Sequence, residues 1–265
     1  MGAIDIEWAG LGIGLLLMVI PVYFLWQLRT GLVRAILVGT VRMCVQLLLI
    51  GAYLQYLFLW NRPWLNLLWV TAMVWVAAHT AVSHTRLRWN VLFMPVFGGF
   101  ILPAVVVGFF FLGFVLQLEN VFSSRYFIPI MGILLGNMLS VNVVALSTYY
   151  TDLHREQQMY YYLLGNGATR FEATLPFLRS AVVKAFSPCI ANLAVMGLVS
   201  YPGTMIGQIL GGSSPGIAIK YQVMIVVITV SSSMLSLMLT VGLSMRKSFD
   251  RYGRLRDVFQ SRKRK

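Results

Sequence analysis

The sequence predicts an all-α, polytopic membrane protein with about seven transmembrane helices. Hydrophobic residues make up 58% of the 265-residue chain and charged residues only 11%, and the mean hydropathy is +0.78. Several windows of about 20 residues carry no charge, and this is the length that a helix needs to cross a ~30 Å hydrocarbon core. The composition therefore excludes a water-soluble fold.

Apolar runs along the chain give the approximate position of each helix. Seven runs are present, and an odd number of spans places the two termini on opposite sides of the membrane. The runs cover residues from about 9–28, 35–59, 64–82, 91–117, 126–147, 181–201 and 221–245.

The distribution of basic residues orients these helices. With the N-terminus outside and the C-terminus in the cytoplasm, the cytoplasmic segments hold most of the lysines and arginines, as the positive-inside rule requires. Outside the tail, the cytoplasmic set is Arg29, Arg34, Arg86, Arg88, Arg155, Arg170 and Arg179, whereas the outer loops hold Arg62, Arg125 and Lys220.

The chain divides by composition into a transmembrane domain over 1–245 and a basic cytoplasmic tail over 246–265. The acidic residues of the tail are Asp250 and Asp257. Such a tail suits either nucleic acid or anionic lipid, and we favour the lipid bilayer because headgroups are adjacent and need no aromatic stacking partners. Nucleic acid is not an expected partner.

Four neutral amides are predicted near the middle of the membrane: Gln46, Asn137, Asn142 and Asn192. An amide exposed to lipid leaves donors and acceptors unsatisfied, so each side chain either bonds to another helix or lines a substrate path. Lys184 lies about one turn into the sixth run and is expected to extend its ammonium group to the inner interface. No Asp or Glu lies inside a predicted span, and no metal site is expected.

The longest cytoplasmic connection, over about 148–180, is expected to form a compact helix–glycine–helix knob. Leu153–Leu164 has a helical pattern that Gly165 and Gly167 end. Thr169 and Glu172 have the spacing of a capping box, which starts a second short helix. The knob is too small to be an enzyme but suits docking into a cleft on a soluble partner.

The glycine-rich segment over about 201–216 is too short to cross the membrane. Its apolar middle, Met205–Leu210, predicts a re-entrant or surface-lying hairpin, or alternatively a simple outer turn.

Enzyme motifs are lacking in the sequence. It holds no G-x-x-x-x-G-K-[ST] phosphate loop, no H-E-x-x-H, no C-x-x-C and no G-x-S-x-G. We therefore expect a transport subunit rather than an enzyme, with no cofactor of its own and with its energy supplied by another chain.

Several segments resemble the FetB-like (UPF0014) family of ABC-transporter permeases, which includes bacterial iron exporters and plant aluminium-tolerance relatives. The resemblance covers most of the chain. It rests on VRMCVQLLLIGAYLQYLF (41–58), IPIMGILLGNMLSVN (128–142), EQQ (156–158), LGNGATRFEA (164–173) and MGLVSYPGTMIGQILGGSSPGIAIKYQVMI (196–225).

The resemblance implies a multi-pass permease of the cell (inner or cytoplasmic) membrane that exports iron, another metal or a metal-related small molecule. It also implies two permease copies with two separate ATP-binding subunits, which bind and hydrolyse the ATP. The coupling element would be Gly165, Gly167, Ala168, Thr169 and Glu172. The alternatives are an ATP-independent channel or secondary transporter, and a membrane scaffold without transport activity.

The sequence departs from the family pattern in the sixth helix. Ala191 and Ala194 stand where the family carries an aspartate and a lysine. Losing both charges together leaves no unpaired buried charge, so the change is compatible with a stable helix. It nevertheless weakens the expectation that iron is the cargo.

The predicted orientation has a direct test in reporter fusions. Alkaline phosphatase fused after Asn61 should be active, the same fusion after Arg88 should be inactive, and green fluorescent protein at the C-terminus should fluoresce. The inverse pattern of activity at Asn61 and Arg88 would contradict this orientation.

Overall fold

The computed structural model describes residues 7–85, 87–250 and 253–256. Most of these residues are helical. The helices are α1 (Trp8–Leu16), α2 (Val19–Gln27), α3 (Val33–Trp60), α4 (Pro63–His84), α5 (Trp89–Phe109, continued by a π-helical turn over Phe110–Val115), α6 (Ser124–Arg155), α7 (Gln157–Gly165), α8 (Arg170–Val195), α9 (Gly203–Leu210) and α10 (Pro215–Ser248).

Among the described residues, seven helical stretches are long and apolar enough to cross a membrane, which confirms the predicted all-α, polytopic fold class. Helices α1 and α2 together make the first stretch, Trp8–Gln27. The other six correspond to α3, α4, α5 with its π-helical turn, α6, α8 and α10. The expected basic tail is described only as far as residue 256, without 251–252, and the positions from 257 onward lie outside the described residues.

Two membrane helices extend beyond the apolar runs that predict them. Helix α6 continues past residue 147 to Arg155, and α8 begins at Arg170 rather than near residue 181. Polar residues end a hydropathic run, but they do not end a helix whose backbone bonds are satisfied internally. The expected separate segment over 148–180 is therefore largely made of the C-terminal end of α6 and the N-terminal end of α8.

The buried core lies among α4, α5, α6 and α10, and α8 packs on α6. Helices α1 and α2 contain no buried residue, and α3 buries only Leu57. Apolar faces that pack on no other helix suit contact with lipid or with another membrane chain.

A close approach between backbones fixes α10 against α5. A Cβ atom at Gly99 would overlap the Thr240 side chain and lie 2.9 Å from the Thr240 Cα. Only glycine fits at this crossing, because backbone atoms, unlike a flexible side chain, have no way to move aside. Gly98 is different, since its Cβ would meet only the Cδ1 atom of Leu243, at 3.4 Å.

We expect Gly99→Ala to destabilise the helix packing by about 2 kcal/mol, the usual size of an overpacking penalty, whereas Gly98→Ala should have little effect. Thermal unfolding of the two detergent-solubilised variants measures the difference. Equal unfolding midpoints for the two variants would show that the α5–α10 crossing is not as tight as described.

Candidate translocation cleft and coupling segment

A cleft of about 410 Å³ opens between α6, α8, α9 and α10. Its walls combine apolar side chains with amides and hydroxyls, and no charged residue lines it among those described. The neutral polar side chains are Asn137, Ser140, Asn192, Thr204, Gln222, Thr229 and Ser233.

Asn137 and Asn192, two of the predicted path residues, meet in this cleft. Asn137 donates from its Nδ2 atom to the carbonyl oxygen of Ile133, 2.9 Å away on its own helix. Asn192 lies three residues before the end of α8, so it is closer to a helix end than the sequence indicates. The two amides place hydrogen-bonding groups on facing walls.

The other two predicted path residues lie elsewhere. Asn142 is fully buried, and its Nδ2 atom donates to the Met138 carbonyl at 2.8 Å and to the Ser236 Oγ at 2.9 Å. The second bond joins α6 to α10. It agrees with the alternative prediction that an amide in the membrane bonds to another helix. Gln46 is on the exposed face of α3 and does not line the cleft.

The α10 wall of the cleft carries functional candidates that the sequence analysis does not single out. Gln222, Thr229 and Ser233 recur at spacings of seven and four, which places them on one face of α10. The Gln222 Oε1 atom accepts a hydrogen bond of 2.5 Å from the Thr204 Oγ1 of α9. This spacing of polar residues is the feature from which the α10 wall could have been predicted in the sequence.

The glycine-rich segment contains a short helix, α9, that packs on α10. It contributes Thr204 to the cleft. The expected apolar middle, Met205–Leu210, falls inside this helix. Between α8 and α9 the chain turns at Gly197, whose φ of 87° favours glycine.

Helix α7 ends in a Schellman motif, the form of helix end in which a left-handed residue satisfies the last carbonyls. Gly167 has a φ of 90°, and its N–H donates to the Leu164 carbonyl at 3.0 Å. The Ala168 N–H donates to the Leu163 carbonyl at 3.1 Å. Gly165 is the last residue of α7, so the predicted helix end is present.

The predicted capping box begins α8. The Thr169 Oγ1 accepts from the Glu172 N–H at 3.3 Å, and the Glu172 Oε2 accepts from the Thr169 N–H at 2.8 Å. The helix that starts here is the 26-residue membrane helix, not the short second helix expected. The helical pattern over Leu153–Leu164 is likewise interrupted at Glu156, where α6 gives way to α7.

The coupling segment, defined here as α7 with residues 166–172, is fixed to the end of α10. Tyr160 is buried on α7, and its hydroxyl donates to the Gly253 carbonyl at 2.9 Å. Its ring lies 5.5 Å from that of Phe249. Burial raises the pKa of the Tyr160 phenol. The exposed residues of the segment include Gly165, Gly167, Thr169 and Glu172. The segment therefore presents an exposed turn that the contacts of Tyr160 hold in place.

A polar cluster joins the C-terminal end of α6 to the middle of α8. The Asp152 Oδ2 atom accepts from the Ser180 Oγ at 2.8 Å and from the Lys184 Nζ at 3.2 Å. Lys184 therefore bonds across helices, and its place at the inner interface stays a prediction. Among the described residues no group of three or more His, Cys, Asp or Glu side chains is placed to hold a metal ion.

The family model described as "Uncharacterised protein family (UPF0014)" matches residues 8–249. The chain is 28% identical over 233 residues to the UPF0014 membrane protein YjkA of Bacillus subtilis, with 87% of this chain and 90% of that protein covered. It is 34% identical over 198 residues to the protein ALUMINUM SENSITIVE 3 of Arabidopsis thaliana, with coverage of 74% and 70%.

A third relative is the probable iron export permease protein FetB of Escherichia coli, which is 29% identical over 254 residues. The alignment covers 94% of this chain and 95% of that protein. No solved structure matches the chain. The family match spans nearly all of a chain whose described part contains seven apolar membrane-length helices, so this multi-pass membrane protein belongs to the UPF0014 family.

Proposed function

We propose that the protein is the membrane-spanning permease subunit of an ABC transporter, driven by a separate ATP-binding subunit that docks on the coupling segment. The proposal rests on the observation that α6 and α8 each extend as one helix from the cleft to the coupling segment. Both helices contribute a wall to the polar cleft, and they lead into the two ends of the coupling segment. A force applied at Gly167 or Thr169 therefore acts directly on the walls of the cleft.

The cleft has the character of a transport path. Neutral amides in a lipid-facing groove cost free energy unless water, cargo or protein satisfies them. Asn137 and Ser140 are both exposed along α6. A second copy of the permease, facing the first across the cleft, would shield these groups from lipid and enclose the path.

The cargo is proposed to be a chelated metal or a metal-related small molecule, moved outward. The E. coli relative carries iron export in its name, which favours a metal cargo and an outward direction. The cleft, however, is lined by amides, hydroxyls and the Cys189 thiol rather than carboxylates. Hard cations prefer carboxylate and other oxygen ligands in larger numbers, so a complexed metal fits better than a bare one.

The sequence has no phosphate loop, so ATP hydrolysis belongs to a partner chain. This requirement separates the proposal from a channel or secondary transporter, which would move cargo without a partner, and from a scaffold, which would move none. For a bacterial source the location would be the inner membrane, where the coupling segment can meet cytoplasmic ATP.

The principal experiment is reconstitution in sealed vesicles with and without the ATP-binding chain that copurifies from native membranes. We expect transport only with that chain and ATP. Uphill transport by the permease alone would contradict the proposal.

Water access to the cleft can be measured with cysteine labelling. In a background that lacks Cys44 and Cys189, Asn137→Cys and Asn192→Cys should react with a membrane-impermeant maleimide, because thiolate forms only where water is present. Asn142→Cys is the matched control and should stay unlabelled, since its site is buried between α6 and α10. Similar labelling at all three positions would argue against a distinct aqueous cleft.

We expect Glu172→Lys to reduce ATP-driven transport at least about tenfold while membrane insertion is unchanged. The substitution removes the capping carboxylate and reverses the charge at this point of the docking surface. Gly167→Trp should act similarly, because a side chain at a φ of 90° strains the turn. Glu119→Lys, the same charge reversal in the loop before α6, is the control. Transport and ATPase stimulation that are normal in both coupling variants would refute the assignment.

A further inference from the structure

Helix α3 carries two polar side chains, Arg42 and Gln46, on a side that packs on no other part of this chain. The two residues are four positions apart, so they share one side of the helix, and both are exposed. Neither takes part in a hydrogen bond or ion pair among the described residues. Helices α1 and α2 lie against the opposite side of α3, at Leu37, Thr40 and Cys44. We call Arg42 and Gln46 the polar face of α3.

The polar face of α3 needs a cover other than lipid. Asn61, in the short connection between α3 and α4, accepts bonds at its Oδ1 atom from the N–H and the Oγ of Ser124, each at 3.0 Å. The end of α3 and the start of α6 therefore lie at one level. Gln46 is about 22 Å along α3 from that level, which is within a ~30 Å hydrocarbon core. An amide at this depth without a partner costs free energy.

The cleft of the same chain does not lie under this face. The Tyr53 ring of α3 is 4.6 Å from the Trp69 ring of α4, so α3 is held beside α4. The side of α6 toward α4 is marked by Gly132, where a Cβ atom would lie 3.3 Å from the Met73 Cε. Asn137 lines the cleft five residues farther on, about 140° around the helix from Gly132. A helix held at α4 therefore does not cover Asn137 of its own chain.

The α6 wall of the cleft lies at the same level as the polar face of α3. From the level of Ser124, Ser140 is about 24 Å along α6, close to the 22 Å of Gln46 along α3. Val144, the cleft residue of α6 nearest the coupling segment, is about 30 Å along α6, and Arg42 is about 28 Å along α3. A two-fold axis normal to the membrane preserves these levels in a second copy. The polar face of one copy therefore matches the open side of the cleft in another.

We propose that α3 of one permease copy lies over the cleft of a second copy and completes it, an inference that rests on the proposed function. Gln46 then bonds with Asn137 and Ser140 of the second copy. Arg42 places its guanidinium at the end of the cleft nearer the coupling segment. Because no charged residue of the same chain lines the cleft among those described, the second copy gives the path a positive charge. A cation at this end selects an anionic cargo, such as a metal complex of net negative charge.

Disulfide cross-linking in membranes tests the contact and requires neither ATP nor cargo. Two differently tagged chains that lack Cys44 and Cys189 are produced together, one with Gln46→Cys and the other with Ser140→Cys. Oxidation should give a covalent dimer that carries both tags. Leu48→Cys replaces Gln46→Cys in the control, because Leu48 lies on the side of α3 away from the polar face. The control should give at least about tenfold less dimer, since a disulfide needs close and correctly directed Cβ atoms.

The charge that Arg42 supplies is measured from the other copy, in dimers purified through both tags. One chain carries Val144→Cys, which is labelled with a negatively or a positively charged methanethiosulfonate, and the other chain carries Arg42→Gln. The ratio of the two labelling rates, negative over positive, should fall at least about fivefold, because a nearby unit charge attracts one reagent and repels the other. Arg34→Gln is the control, since it removes the same charge from the same helix beyond the level of the cleft.

Two results would overturn the proposal. One is cross-linking between Gln46→Cys and Ser140→Cys that is no stronger than with Leu48→Cys, or that forms within a single chain carrying both cysteines. The other is a labelling ratio that Arg42→Gln leaves unchanged. Neither measurement depends on transport. A dimer that cross-links as expected but moves no cargo with the ATP-binding chain and ATP would contradict the proposed function and leave the contact standing.

Discussion

The constraint that orders this structure is the cost of an unsatisfied polar group in hydrocarbon. The Asn142 amide nitrogen meets the constraint inside the protein, through its bonds to the Met138 carbonyl and the Ser236 Oγ, and so joins α6 to α10, whereas its buried Oδ1 atom has no hydrogen-bond partner among the described residues. Asn137 and Asn192 sit instead at a cleft, where water, cargo or another chain can satisfy the amide groups that remain after Asn137 donates to the Ile133 carbonyl. The same residue type thus marks a structural contact in one place and a candidate path in another.

A second determinant is that α6 and α8 each continue as one helix beyond the apolar run that predicts it. Because α6 runs to Arg155 and α8 begins at Arg170, only the short α7 and its two joints separate the membrane helices. The Asp152–Lys184 pair joins the C-terminal end of α6 to the middle of α8. Motion of the coupling segment would therefore be transmitted by rigid helices rather than by a flexible loop, provided that a partner binds there as proposed.

Hydropathy and local motifs predicted much of this arrangement from sequence. The seven spans follow from charge-free windows, and the ends of α7 and α8 follow from Gly167 and the Thr169–Glu172 capping box, since these features depend on neighbouring residues alone. Helix ends beyond the membrane were missed because polar residues mask the continuation of α6 to Arg155. Which amides share a cleft depends on the rotation of each helix and on tertiary packing. The hydropathy of single spans therefore could not predict that Gln46 lies apart from Asn137.

The central claim is that the coupling segment moves the walls of the cleft. It is tested most directly by the distance between spin labels at Asn192→Cys on α8 and Gln222→Cys on α10, in the chain assembled with the proposed ATP-binding subunit and otherwise free of cysteine. The account predicts that the distance distribution shifts when ATP is bound and returns after hydrolysis. An unchanged distribution in a complex that transports its cargo would contradict it.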